Sequence, residues 1–178
     1  MGMSHAVCFD LFNTLVNVGT VPTDIGGTTA EVLGVDASAW NQACFSEHHE
    51  ICHPTNHFDV IRTLAHQLDP QMPLERIEDA TRQRQARFDA ALTTHVDKDV
   101  VNTLQKLRDQ GYQIALISNA STAEVQAWPE SPLRSLFDVS VFSCHVGMKK
   151  PDPAIYHYTA EKLGAVSYTH LTLPTITE

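Results

Sequence analysis

Two short apolar runs, each ending in a polar residue, constrain this chain most: AVCFD at 6–10 and IALIS at 114–118. A run of four or five apolar residues is too short for a core helix and reads as a strand buried on both faces. A third run, FDVSVFS at 137–143, has the same texture. Helical patterns separate them. Val100, Leu104 and Leu107 are spaced for one helix face, with Gly111 as a C-terminal cap. Residues 122–128 read as a helix, and so do residues 152–164, with Pro153 in the first turn and Gly164 at the end. Buried strands alternating with helices specify an α/β fold, a Rossmann-like parallel sheet with right-handed crossovers.

The stretch between the first strand and the rest differs. Residues 20–98 are rich in Ala, Gln, Glu, Arg and His, with helical spacing over 30–33, 39–50, 58–67 and 74–92. Asp36 or Ser38 can cap the second of these and Asn56 the third, while Pro54, Pro70 and Pro73 punctuate them. This block is expected to be an inserted α-helical cap over the strand ends. The expected domains are a Rossmann-like core from residues 1–19 and 99–165, and a cap from 20–98. Residues 166–178 are expected to be a non-native tail: Val166–Thr175 equals, residue for residue, the translation of a transposase-end sequencing adapter. On that expectation the core is truncated at its C-terminal end.

Charge narrows the partners. The net charge is −9 and the isoelectric point near 5.5, which argues against a nucleic-acid surface. No apolar run is long enough to span a bilayer, so no membrane association is expected. The segment before Asp10 is too short for a signal peptide. Cys8, Cys44, Cys52 and Cys144 lack framework spacing, so they are expected to be reduced, in a cytoplasmic protein.

In open parallel sheets, ligands bind at the carboxyl ends of the strands. Three polar groups fall there: Asp10 with Thr14, Ser118 with Asn119, and Lys150 in GMKKPDPAIY. Together they offer a carboxylate nucleophile, hydroxyl and amide donors, and an ammonium. That set suits attack on an electrophile carrying an anionic group.

These residues resemble the haloacid dehalogenase superfamily of aspartate-nucleophile hydrolases, mostly phosphatases. The family's first motif, Asp-x-Asp-x-Thr after an apolar strand, is matched by FDLFNTL except at its second acid. Its second motif is matched by IALISN, and its third, a Lys before Pro-Asp-Pro, by KKPDPAIY. The resemblance spans residues 1–165. It implies that Asp10 is the nucleophile, that Thr14 supports its loop, and that Ser118 and Asn119 bind the anion. It implies that Lys150, which directly precedes Pro151, balances charge. In the phosphatases Mg²⁺ binds the nucleophile's carboxylate, here Asp10, and the carbonyl two residues on, here Phe12. It also binds acids of a fourth motif, expected on the strand after residue 164. With that motif missing, the chain is expected to hold Mg²⁺ poorly and to be inactive.

Phe12 stands where the phosphatases carry their general acid, and cannot deliver a proton. Two readings follow for a small anionic substrate. A phosphatase-like hydrolase of a small phosphorylated metabolite, using Mg²⁺, ranks first. It would act on good leaving groups or take an acid from the cap, with Glu47 and Glu50 candidates by residue type. A 2-haloacid dehalogenase-type hydrolase ranks second. Members of that type carry an aromatic residue at position 12 and use no metal, and Phe12 and Tyr156 resemble that pattern. They also use a cap arginine, which Trp40–Asn41–Gln42 does not offer. Arg62, Arg76 and Arg82 are the candidate substitutes.

A rival lies at residues 49–53, HEICH, which matches the His-Glu-x-x-His zinc protease signature. On a helix, His49 and His53 would share a metal, with Glu50 as base. His48, Cys52 and His57 could add ligands, and Glu75 or Glu78 could be the third. Pro54 follows immediately and weakens the match.

Overall fold

The computed structural model describes residues 5–164. Three parallel strands, β1 (Ala6–Phe9), β2 (Gln113–Ser118) and β3 (Val139–Phe142), form one sheet in the order β1-β2-β3. Phe9 is level with Leu116, and Ser118 with Phe142, so all three strands deliver their next residues to the same edge. Strand periodicity sorts the core of β2. Ile114 and Leu116 join Leu104, Trp128, Leu133 and Phe142 on one face, while Ile117 packs with Val141 and Ile155 on the other. The first face is covered by α5 (Lys98–Asp109), whose Leu104 is buried as its spacing predicts. The second is covered by α7 (Pro153–Lys162), which Asp152 caps through the Ala154 amide at 2.9 Å. Gly111 and Gly164 follow these helices with φ of 84° and 70°, the left-handed geometry that ends a helix at little cost for glycine.

Four helices are inserted after β1: α1 (Thr29–Leu33), α2 (Ala37–Cys44), α3 (His57–Leu68) and α4 (Leu74–Thr93). They bury their own cluster, including Leu33, Trp40, Ile61, Leu64 and Ile77. Asp36 caps α2 through the Ala39 amide, and Asn56 caps α3 through the Asp59 amide. Thr28 and Glu31 form a reciprocal capping box on α1. Among the described residues no helix is long and apolar enough to cross a membrane, and all four cysteines are free.

Four expectations need correction. The run at 6–10 forms a strand but is not buried on both faces: Ala6 is exposed, and Val7, Cys8 and Phe9 are half-buried. The helix over 39–50 stops at Cys44, because the Ser46 hydroxyl donates to Ala43 O at 2.7 Å and the His49 ring meets Cys44 O at 2.8 Å. These side chains take the carbonyls that further helix would have used. Residues 122–128 do not form an α-helix. They make a 3₁₀ turn at Ala123–Val125, followed by a second at Trp128–Glu130 with Pro129 in its first turn. The third strand ends at Phe142, since Ser143 starts a short helix, α6 (Ser143–Val146).

The seam between the inserted helices and the sheet is polar. On α4, Ile77, Ala80, Arg84, Arg87 and Ala91 share one buried stripe. Arg84 Nη2 donates to Glu124 Oε1 at 2.5 Å, and Arg87 donates to Gly26 O at 2.7 Å and Val18 O at 2.9 Å. Burial pushes the Glu124 carboxyl up, but Arg84, His49 and the Ser121 amide outweigh it and hold Glu124 below the usual carboxylate range. His57 sits against the same guanidinium, its Nε2 3.4 Å from Arg84 Nη1. An arginine can only donate, so Nε2 accepts and the ring is neutral.

Two outcomes follow for stability. Leu104→Ala should destabilise the chain by about 2–5 kcal/mol in urea unfolding, as for other fully buried leucines. The second concerns acid. Burial, then Arg84, lowers the His57 pKa from 6.5 to about 4, despite Glu124 and Gln85, while His49 adds to the lowering. The unfolded chain takes up this proton near pH 6.5 and the folded chain only near pH 4, so the stability is intact above pH 6.5 and lost between pH 6.5 and 4. Urea midpoints should fall across that window, and fall less in His57→Gln. Equal slopes for the two proteins would contradict the assignment.

Candidate active site

Asp10 follows β1 directly, and the chain then turns sharply. The amides of Leu15 and Val16 both donate to Leu11 O, at 2.8 and 3.1 Å, while Asn13 adopts φ 60°. Asparagine tolerates that left-handed geometry better than most residues. Thr14 is exposed in this turn, its amide donating to Leu11 O at 3.4 Å. The turn leaves the Asp10 carboxylate facing the strand-end edge with its side chain 43% exposed.

Lys150 reaches this carboxylate: Nζ lies 2.7 Å from Asp10 Oδ1. The Leu11 amide donates to the same oxygen at 2.8 Å. Both contacts fall on Oδ1, and neither on Oδ2. Lys150 is itself held by Asn119, whose Oδ1 accepts from the Lys150 amide at 2.8 Å and whose Nδ2 donates to Lys150 O at 2.9 Å. Asn119 thus grips the lysine backbone from the adjacent strand end. Ser118 is 1% exposed, and its hydroxyl has no hydrogen-bond partner among the described residues. A buried hydroxyl without a partner is costly, and is a ready donor for an anion. Beneath the site, burial pushes the Cys8 thiol up to about 11, with Lys150 opposing and Asp10 adding to the shift. Cys8 is therefore a protonated, poorly nucleophilic thiol.

Phe12 turns away from acid–base chemistry altogether. Its ring meets Phe88 of α4 edge to face, with centroids 5.3 Å apart, and the Arg84 guanidinium lies 4.3 Å from the centroid of Phe88. Position 12 is an apolar contact between the Asp10 turn and the inserted helices.

Asp10, Asn119 and Lys150 therefore come together, with Ser118 on the strand next to Asp10. The other candidates do not join them. Glu47 is exposed. Glu50 accepts from the Cys52 and His53 amides, and the first of these bonds leads in holding its carboxyl below the usual range. Arg62 and Arg82 pair with Asp59 and Asp79 beside them on the helix surface, and Arg76 donates to Leu33 O. Tyr156 is partly buried against Ile117, Val141 and Ile155. Arg84 and Arg87 escaped the sequence reading, although their spacing from Ile77 and Ala80 on one stripe marks them as buried.

The zinc protease reading fails on geometry. Residues 49–53 are turn and coil, so His49 and His53 are not stacked one helical turn apart. His49 faces Cys44 O and Glu124, while His53 lies against Glu50. Glu75 and Glu78 are exposed on α4. Among the described residues no group of three His, Cys, Asp or Glu side chains is placed to hold a metal. For Mg²⁺ the described residues supply the Asp10 carboxylate, already bonded to Lys150, and the Phe12 carbonyl. A hard cation takes more oxygen ligands than that, so this set does not fit it. The fourth-motif acids and the adapter-like tail lie outside the described residues.

Known proteins agree with this architecture. A crystal structure of a dehalogenase superposes with a TM-score of 0.60 at 23% identity, covering 92% of this chain and 73% of that one. An enzyme of the same superfamily from Bacteroides thetaiotaomicron, solved with magnesium and inorganic phosphate, superposes with a TM-score of 0.56 at 15% identity, covering 90% of this chain and 79% of that one. The (S)-2-haloacid dehalogenase 4A of Burkholderia cepacia is 27% identical over an alignment of 175 residues that covers 90% of this chain and 70% of that protein. The haloacid dehalogenase-like hydrolase family matches residues 5–170. With the three motifs at one sheet edge and the family match across nearly the whole chain, this protein belongs to the haloacid dehalogenase-like hydrolases.

Proposed function

We propose that the chain is built for carboxylate-nucleophile hydrolysis of a small anionic substrate whose leaving group departs without a proton, a 2-halo acid being the best fit. The observation that carries this reading is the Phe12–Phe88 contact. It supports the reading because position 12, where the resemblance puts the phosphatases' general acid, is occupied by an aromatic ring packed on another. A halide leaves as a stable anion and needs no general acid, whereas an alkoxide leaving a phosphate ester does. The likeness to the Burkholderia cepacia protein supports the same ordering, which reverses the ranking drawn from sequence alone.

The chemistry then runs as follows. The substrate carboxylate is held by the Ser118 hydroxyl and the positive charge of Lys150. Asp10 Oδ2 attacks the carbon that bears the halogen. A carbon–oxygen bond forms, the carbon–halogen bond breaks, and the halide departs with the bonding pair. The product of this half-reaction is an ester on Asp10. Water then attacks the ester carbonyl, releasing the 2-hydroxy acid and a proton and restoring the carboxylate. Lys150 and the Leu11 amide fix Oδ1, so the attacking oxygen is oriented before substrate arrives. The phosphatase-like alternative shares Asp10, Ser118 and Lys150, and would take Mg²⁺ through Asp10 and the Phe12 carbonyl with further acids.

Chloride release from (S)-2-chloropropionate, measured beside a panel of phosphate esters with and without Mg²⁺, tests the ordering. On this reading, and against the inactivity expected from the sequence, chloride release that is independent of Mg²⁺ is expected, and Asp10→Asn should abolish it. Phosphate release requiring Mg²⁺, with no chloride release, would restore the phosphatase reading. Lys150→Met should lower the rate by about 10²-fold or more, the scale seen when one preorganised charge is removed.

A further inference from the structure

The buried ion pair at the seam reaches the active site by direct bonds. Glu124 lies six residues beyond Ser118 and is 7% exposed. One carboxylate oxygen accepts from Arg84 of α4 at 2.5 Å, and the other from the Ser121 amide at 2.8 Å. The preceding amide, Ala120, donates to Ser143 Oγ at 3.0 Å, and that hydroxyl donates to Ile51 O at 2.5 Å. Two consecutive amides of the loop after β2 are therefore held by buried side chains. The residue just before them is Asn119, which grips Lys150 by both backbone groups. Arg84 also packs on Phe88, and Phe88 on Phe12. One arginine of the inserted helices thus touches the loop of the second motif through Glu124 and the turn of the first through an aromatic stack.

We propose that Glu124, clamped by Arg84, is a positioning residue: it fixes the Asn119–Ser121 loop, and through Asn119 the lysine opposite Asp10, while the inserted helices are engaged. A buried carboxylate is tolerated only when paired. If Arg84 withdraws, Glu124 must take a proton or turn to water, and either change weakens its hold on the Ser121 amide. The site is then assembled by the same contact that seats the inserted helices. His49 stands beside this pair, its buried Nε2 3.8 Å from Glu124 Oε1 and without a hydrogen bond among the described residues. It adds positive charge to the pair only when protonated.

This inference rests on the reading of Asp10 and Lys150 as the reacting pair, and amide hydrogen exchange tests it independently of turnover. Exchange is measured by NMR at Ser121, with Leu104 on α5 as the reference, in the native chain, Arg84→Met, Glu124→Gln and the double variant. Arg82→Met, which removes an exposed arginine of the same helix, is the control. The Ser121 amide should exchange at least about tenfold faster in Arg84→Met with Leu104 unchanged, and the double variant should be no worse than the worse single one. In chloride release, kcat should fall about tenfold while KM moves less than about twofold, with partial recovery in Arg84→Lys. Where Arg84→Met does not fold, Arg84→Lys is read at the same amide, and faster exchange at Ser121 alone is again expected. Unchanged Ser121 exchange, or an equal rise at Leu104, would overturn the proposal. A native chain that releases no chloride would fail the functional reading instead, and the exchange result would still decide this one.

Discussion

Parallel pairing of β1 with β2 and of β2 with β3 is the constraint on which the rest depends. Parallel strands in register end on the same edge, so residues far apart in sequence emerge side by side. Asp10 and Ser118 are neighbours for that reason, and the loop beyond β3 returns Lys150 to the same place. A carboxylate placed there alone would be an ordinary solvated charge. With Lys150 at 2.7 Å and the Leu11 amide on the same oxygen, it becomes an oriented group with one oxygen free.

The inserted helices supply what the sheet lacks. They bring Phe88 onto Phe12 and Arg84 onto Glu124, one apolar contact and one ionic contact from a single turn of α4. The apolar contact puts two aromatic rings at position 12, which on the proposed reading leaves no proton donor there. The ionic contact lies on the loop that carries the second motif. A buried ion pair of this kind adds little net stability compared with a hydrophobic pair. On the proposal above its value is geometric, because it ties the seating of the inserted helices to the loop that carries Asn119.

Much of this was legible in the sequence, and the legible parts share a cause. The strands at 6–10 and 114–118, the caps Asp36 and Asn56, and the glycines at 111 and 164 are decided by local backbone preference and short-range periodicity. The three polar groups at strand ends were legible because topology sends every parallel strand end to one edge. What escaped depends on side chains meeting across sequence. The second inserted helix stops at Cys44 because Ser46 and His49 fold back on its carbonyls. Residues 122–128 read as helical from composition, yet Glu124 turns back to the Ser121 amide and across to Arg84. Arg84 and Arg87 were hidden by their charge, although they continue the stripe of Ile77 and Ala80. A charged residue on a buried stripe is the signal of a partner elsewhere, and here the partners are Glu124 and the carbonyls of Val18 and Gly26.

The central claim is that Asp10 attacks carbon and expels a group that needs no proton from position 12. Peptide mapping by mass spectrometry, after a rapid quench of the chain with (S)-2-chloropropionate, tests it most directly. The account predicts a 1-carboxyethyl ester on the Asp10 side chain, in the peptide that contains it, absent from Asp10→Asn. Modification at Cys8, Cys52 or another nucleophile, with Asp10 unmodified, would contradict it.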